Sequence, residues 1–180
     1  GSLASVIVGL LLILTAPCRG EIIVNEVLAN EPGSSTTLEW IELYNAADSG
    51  LVLDDCGLAI NGAEPVQFPS GTWIGPDEYL ILCRRLYPDG SLCGFEGQWG
   101  DSSGVWGDCV EENGIPTPLE IPFALSNSSG TVELVDAYGT VLSALTWSEA
   151  GADGCSWERV TPGTDSVVQA IDSRGSTPGR

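Results

Sequence analysis

Apolar, β-branched and aromatic side chains dominate two short segments near the start of the chain, residues 22–28 (IIVNEVL) and 38–45 (LEWIELYN), which read as strands. Neighbouring side chains of an extended strand point to opposite faces, so Ile41 and Leu43 share one side while Trp40, Glu42 and Tyr44 share the other. Further short runs rich in Val, Ile, Leu, Thr and aromatic residues follow: Leu58 to Ile60, Gly71 to Ile74, Tyr79 to Cys83, Thr131 to Val135, Thr140 to Thr146 and Ser156 to Val160. Turn signals separate them, among them Asn61-Gly62, Gly75-Pro76-Asp77 and Asp136-Ala137-Tyr138-Gly139. Beyond the first twenty residues no stretch keeps a long helical period. The pattern predicts an all-β sandwich in one domain over residues 21–180, with no internal repeat.

Residues 84–122 break this rhythm. Glycine and proline punctuate them throughout, and Trp99 and Trp106 are embedded together with Cys93 and Cys109. A structureless loop longer than about 12–15 residues is uncommon in a compact domain, so the stretch is expected to be an ordered, crosslinked insertion. A bridge between Cys93 and Cys109 would restrict it, and a bridge between Cys56 and Cys155 would tie early strands to late ones. Cys83 is either a rival in that second pairing or a buried free thiol, because connectivity is not legible from spacing. No C-x-x-C pair occurs, which favours disulfides over metal ligation in an exported chain.

Export is the expectation drawn from Leu3 to Thr15 (LASVIVGLLLILT), an uncharged run with the length of a secretory h-region and shorter than the roughly 20 residues of a membrane span. Residues 1–20 therefore read as a signal peptide, truncated at its start, with cleavage near Gly20. Thr15-Ala16-Pro17 before Cys18 suits a lipoprotein site poorly. The location that follows is secreted, extracellular or in the cell envelope.

Charge and composition narrow the chemistry. The chain carries six Arg, no Lys, no His and 25 acids, for a net charge of −19; loss of Arg19 with the leader would make it −20. A surface of this sign repels phosphate backbones, so nucleic acid is not an expected partner. The absence of His excludes Ser-His-Asp and Cys-His nucleophile systems, histidine bases and His-containing zinc sites. Glu39, Glu42, Glu78 and Glu158 are available carboxylates, but nothing in their spacing brings them together, and Glu39 and Glu42 fall on opposite strand faces. No enzyme activity is expected.

The remaining candidates concern binding. Asp48, Asp54 and Asp55 flank one turn and could offer oxygens to calcium, the one cation considered; no other cofactor is expected. Asp101 and Glu112 have the twelve-residue span of a calcium hand, but Val105 and Trp106 stand where an oxygen ligand and a glycine belong, so that match fails. Asn25 and Glu26 are expected to hydrogen-bond neighbouring backbone. Trp73 reads as core, whereas Trp99 and Trp106 are the candidate ligand or partner surface, because exposed indole faces stack on sugar rings. Asn127-Ser128-Ser129 forms a glycosylation sequon that also makes a plausible turn.

The ordered motifs resemble the lamin-tail domain family as found in exported prokaryotic proteins. IIVNEVLAN is similar to the family's first strand, LEWIELYNAADSGLVLDDCGLAI to its second and third, FPSGTWIGPDEYLIL to its middle hairpin and FALSNSSGTVELVDAYGTVLSALTW to the next one. SWERVTPG resembles the closing segment, Cys56 stands where members commonly show Trp, and residues 84–122 have no counterpart. The resemblance implies an immunoglobulin-like sandwich with no catalytic residues to carry over. It also implies a structural or binding module within a larger extracellular protein, touching another protein or a cell-surface polymer. The alternative is a calcium-assisted carbohydrate or surface-polymer binder that uses the Trp-rich insertion.

Overall fold

A computed structural model describes residues 21–149, 151–162, 164–170 and 178–179; the expected leader over residues 1–20 lies outside them. Strands dominate. In chain order they are β1 (Ile22–Leu28), β2 (Trp40–Asn45), β3 (Leu51–Val52), β4 (Cys56–Ile60), β5 (Val66–Gln67), β6 (Trp73–Ile74), β7 (Tyr79–Cys83), β8 (Leu119–Glu120), β9 (Gly130–Asp136), β10 (Val141–Trp147), β11 (Trp157–Arg159) and β12 (Val167–Gln169), with one short helix, α1 (Phe95–Trp99). β1 and β7 have the bounds that their apolar, β-branched runs predict. β2 begins two residues later than expected because Leu38 closes a turn of 3-10 helix over Thr36–Leu38.

Six strands form one sheet in the order β12-β11-β1-β2-β7-β8, four form a second in the order β10-β9-β4-β5, and β3 pairs with β6 in a separate ribbon. All pairings are antiparallel except β7 with β8. Ile41 and Leu43 of β2 meet Leu58 of β4, Leu134 of β9 and Leu145 of β10 in a single core between the two larger sheets. Arg159, almost wholly buried, stitches these layers: its Nε donates to Val24 O of β1 at 2.8 Å, and its terminal nitrogens donate to Ala144 O of β10 and Thr164 O. A planar guanidinium can satisfy several carbonyls at once from one position.

The other face of the six-stranded sheet is covered as well. All seven residues of β1 are buried, as are five of the six in β2. The cover is the insertion. Leu28, Trp40, Ile81 and Cys83 of the sheet form a second core with Phe95 and Ile115 of residues 84–122. α1 begins where Phe95 N donates to Arg85 O at 2.8 Å and Glu96 N to Leu86 O at 2.9 Å, and the insertion returns along β7 as β8, with Ile121 N bonded to Cys83 O at 3.1 Å. The molecule therefore has three layers: sheet, sheet and insertion.

The insertion is ordered without the expected crosslink. Cys83, Cys93, Cys109 and Cys155 are free thiols, so neither Cys93–Cys109 nor Cys56–Cys155 is bridged. Burial of Phe95 between aromatic neighbours supplies the ordering assigned to the first bridge. The second pair is divided between layers, since Cys56 lies in the core on β4 while Cys155 sits in the turn before β11. Cys83 is a buried thiol whose pKa burial pushes up to about 12, with Glu120 adding to the effect.

Candidate functional site

Three regions gather chemically capable side chains. The first is a row of glutamates across three strands. Glu26 of β1 pairs directly with Glu42 of β2 on one side and Glu158 of β11 on the other. This corrects the expectation that Glu42 and Glu158 do not converge; Glu39 and Glu78 remain apart from them. Asn25 occupies a bulge in β1 and its Nδ2 donates to Glu42 Oε1 at 2.7 Å. Gly179 N, at the end of the chain, donates to Glu42 Oε2 at 2.6 Å, and the Ser156 hydroxyl donates to Glu26 Oε1. Asn25 and Glu26 thus engage side chains where backbone partners were expected.

Burial and the neighbouring Glu26 push the Glu42 carboxyl up to about 8, against the hydrogen bonds from Gly179 and Asn25. Desolvation raises a carboxyl pKa because the interior solvates the charged form poorly, and a like charge adds to it. Such a group could hold a proton at neutral pH. Yet Glu42 is 0% exposed and does not line the cavity beside Gly179, a space of about 400 Å³ bordered by Asp77, Tyr79, Ile115 and Gly179. A proton that no substrate can approach performs no general acid–base catalysis. Glu39 is also structural. It takes Arg84 Nη1 at 3.2 Å on both oxygens and Leu125 N at 2.9 Å, and burial is the main cause of its raised pKa.

The second region is the β3–β6 ribbon. Val52 and Trp73 are directly paired across it, 47% and 54% exposed. Gly50 lies beneath the indole so closely that a Cβ there would collide with ring atoms. Asn45 anchors the ribbon: it is fully buried, its Nδ2 donates to Ser49 O, Ile74 O and Gly75 O, and its Oδ1 accepts from Ala47 N. An Asn before a turn that bonds backbone two residues on is a signal legible in the sequence.

Trp73, expected in the core, is exposed, while Trp99 and Trp106, the candidate ligand or partner surface, are half-buried in the insertion. Phe95 stacks on Trp99 with centroids 4.5 Å apart and meets Trp106 at 5.4 Å, while Trp40 meets Trp99 edge-on at 6.2 Å. An insertion with so few apolar residues must spend its large rings on its own burial. The ribbon is too narrow to enclose its tryptophan.

The third region is acidic. Asp54 accepts from Gly71 N at 2.5 Å and Ser70 Oγ at 3.3 Å, pinning the turn before β4 to the β5–β6 loop. Asp48, Asp54 and Asp55 are all exposed and do not gather into a ligand set. Among the described residues, the potential metal ligands that do converge are Asp101, Asp108, Cys109 and Glu112 in the insertion, whose ligand atoms lie within 4.8 Å of one another.

Also among the described residues, no helix is long and apolar enough to cross a membrane. No curated protein matches the chain. Residues 15–149 match the Lamin Tail Domain family, a non-enzymatic group of immunoglobulin-like domains. That span includes the insertion and ends before β11, so the stretch containing Arg159 lies beyond it. The two facing sheets agree with the match, and the chain belongs to the lamin tail domain family.

Proposed function

We propose that this chain is an exported, non-catalytic sandwich module that contacts another protein in the cell envelope or outside the cell, as part of a larger extracellular protein. The contact is made through the β3–β6 ribbon. The observation that carries this reading is the exposure of Trp73 beside Val52 in a protein that packs its other tryptophans at least partly inward. Tryptophan at the centre of an apolar patch is a common anchor of protein interfaces. Asn45 holds the ribbon rigid, which lowers the entropy cost of docking. With a net charge of −19, the partner surface around that anchor is basic or uncharged. Export rests on the apolar run of residues 3–15. Trp99 and Trp106 are half-buried against Phe95, so the more exposed Trp73 is favoured as the anchor.

One experiment tests the proposal. The full chain is expressed in its native host with a photocrosslinking residue at position 73, and at the 92% exposed Tyr138 as the comparison. The expected result is protein outside the cytoplasm, beginning at Glu21, with a discrete protein adduct from position 73 and none from 138. Retention of the whole chain in the cytoplasm, identical adducts from both positions, or adducts to glycan alone would contradict it.

A further inference from the structure

We infer that the insertion carries a calcium-binding site in which Asp101, Asp108 and Glu112 supply carboxylate oxygens to one ion. Their ligand atoms, with Cys109 Sγ, lie within 4.8 Å of one another. Proximity of acids is common on an acidic surface, and the decisive feature is Glu112. It is 3% exposed, yet only one of its oxygens is engaged: Oε2 accepts from Gly107 N at 2.5 Å and Asp108 N at 3.2 Å, while Oε1 meets no donor. Oε1 is directed toward the corner at Gly100, where a Cβ would collide with it, and Asp101 is the next residue.

A buried carboxylate oxygen without a partner is costly unless a positive group faces it. Among the described residues the three arginines are committed elsewhere: Arg84 to Glu39, Arg85 to Asp89 and Arg159 to backbone carbonyls. Glu96, also fully buried in the insertion, repeats the pattern. Its Oε1 accepts from Ser103 Oγ and Gly104 N while its Oε2 meets no donor. A bound cation would compensate this concentration of buried negative charge.

The donor set selects the ion. Three carboxylates outnumber one sulfur, and the chain has no histidine to complete a soft site. Calcium takes about six to eight oxygens in flexible geometry, and a glycine-rich loop has carbonyls to add. The calcium-hand spacing rejected on sequence grounds thus ends in the same two acids, Asp101 and Glu112, reached by a different loop path. The site is independent of what the β3–β6 ribbon touches. By fastening residues 101–112 it would hold Trp106 against Phe95.

The test is titration of the full chain with calcium, magnesium and zinc, followed by calorimetry, melting temperature and tryptophan fluorescence. Wild type is expected to bind one calcium, to change its fluorescence, and to gain roughly 5–10 °C in Tm at about a hundredfold excess over Kd. The Asp101→Asn/Asp108→Asn variant, altered only at exposed positions, should fold normally and lose these responses. Glu112→Gln should lose them too, while Asp54→Asn and Cys109→Ser should keep them. Absence of a calcium response in wild type, its persistence in the Asp101→Asn/Asp108→Asn variant, or binding of zinc alone with dependence on Cys109 would each overturn the inference.

Discussion

Replacing Phe95 by alanine is expected to destabilise the protein by about 3–5 kcal/mol, the usual cost of deleting a buried aromatic ring. The ring is fully buried and touches Trp99 and Trp106, and Trp99 in turn meets Trp40 on the sheet. Its loss therefore opens a cavity at the joint between the second and third layers. The damage should be uneven, because the core between the two sheets does not include Phe95. Urea denaturation should show a lower midpoint. Limited proteolysis should cut first within residues 84–122, and tryptophan emission should shift to the red as Trp99 and Trp106 become wet. An unchanged midpoint with no new cleavage in that segment would mean that the insertion is not held through this ring.

The second large effect is a fall in stability with rising pH that depends on Glu42. Its folded pKa of about 8 lies above the ordinary value of 4.5, chiefly through burial and then through Glu26. Between those values the folded state keeps a proton that the unfolded chain has released. The stabilising contribution of the protonated group is therefore complete below about 4.5 and is lost as pH rises to about 8, at up to about 1.4 kcal/mol per pH unit. Other acids titrate in the same range, so the readout is a difference: the stability of Glu42→Gln should fall less steeply than that of wild type from pH 5 to 8. Parallel slopes for the two proteins would show that Glu42 ionises normally in the fold.

Local pattern carried much of the framework and little of the chemistry. The β-branched, apolar composition of IIVNEVL and the apolar run YLILC mark β1 and β7 to the residue, as expected of strands paired on both sides. The two-residue strands β3, β5, β6 and β8 hold too few side chains to make a period, and of these only β6 falls within an expected strand; β12 is little longer. α1 spans five residues after Gly94, with no side-chain cap to signal it. The acidic row depends on register among β1, β2 and β11, and no spacing along the chain encodes that Glu26 lies between Glu42 and Glu158.

Trp73 reads as core because its segment reads as a strand, but that strand is two residues long and its narrow ribbon leaves the ring exposed. Burial follows from what covers a residue, and the cover came from the insertion. The polar positions Asn25, Glu26 and Glu42 are buried on the sheet, where Asn25 and Gly179 N donate to Glu42 and Ser156 donates to Glu26. The insertion's own packing makes the expected crosslinks unnecessary for order. Two of the four Asn45 bonds, to Ile74 O and Gly75 O, reach backbone that only the folded ribbon brings near, while those with Ala47 N and Ser49 O are local.

The central claim is that residues 84–122 form a folded third layer over β1, β2 and β7, covering Leu28, Trp40, Ile81 and Cys83 and bringing Asp101, Asp108 and Glu112 together. Hydrogen–deuterium exchange on the full chain tests it most directly. The amides of Phe95, Glu96 and Ile121, which bond to Arg85 O, Leu86 O and Cys83 O, should be protected on the timescale of those in β1 and β2. Exchange of residues 84–122 at the rate of an unfolded chain, with both sheets still protected, would contradict it.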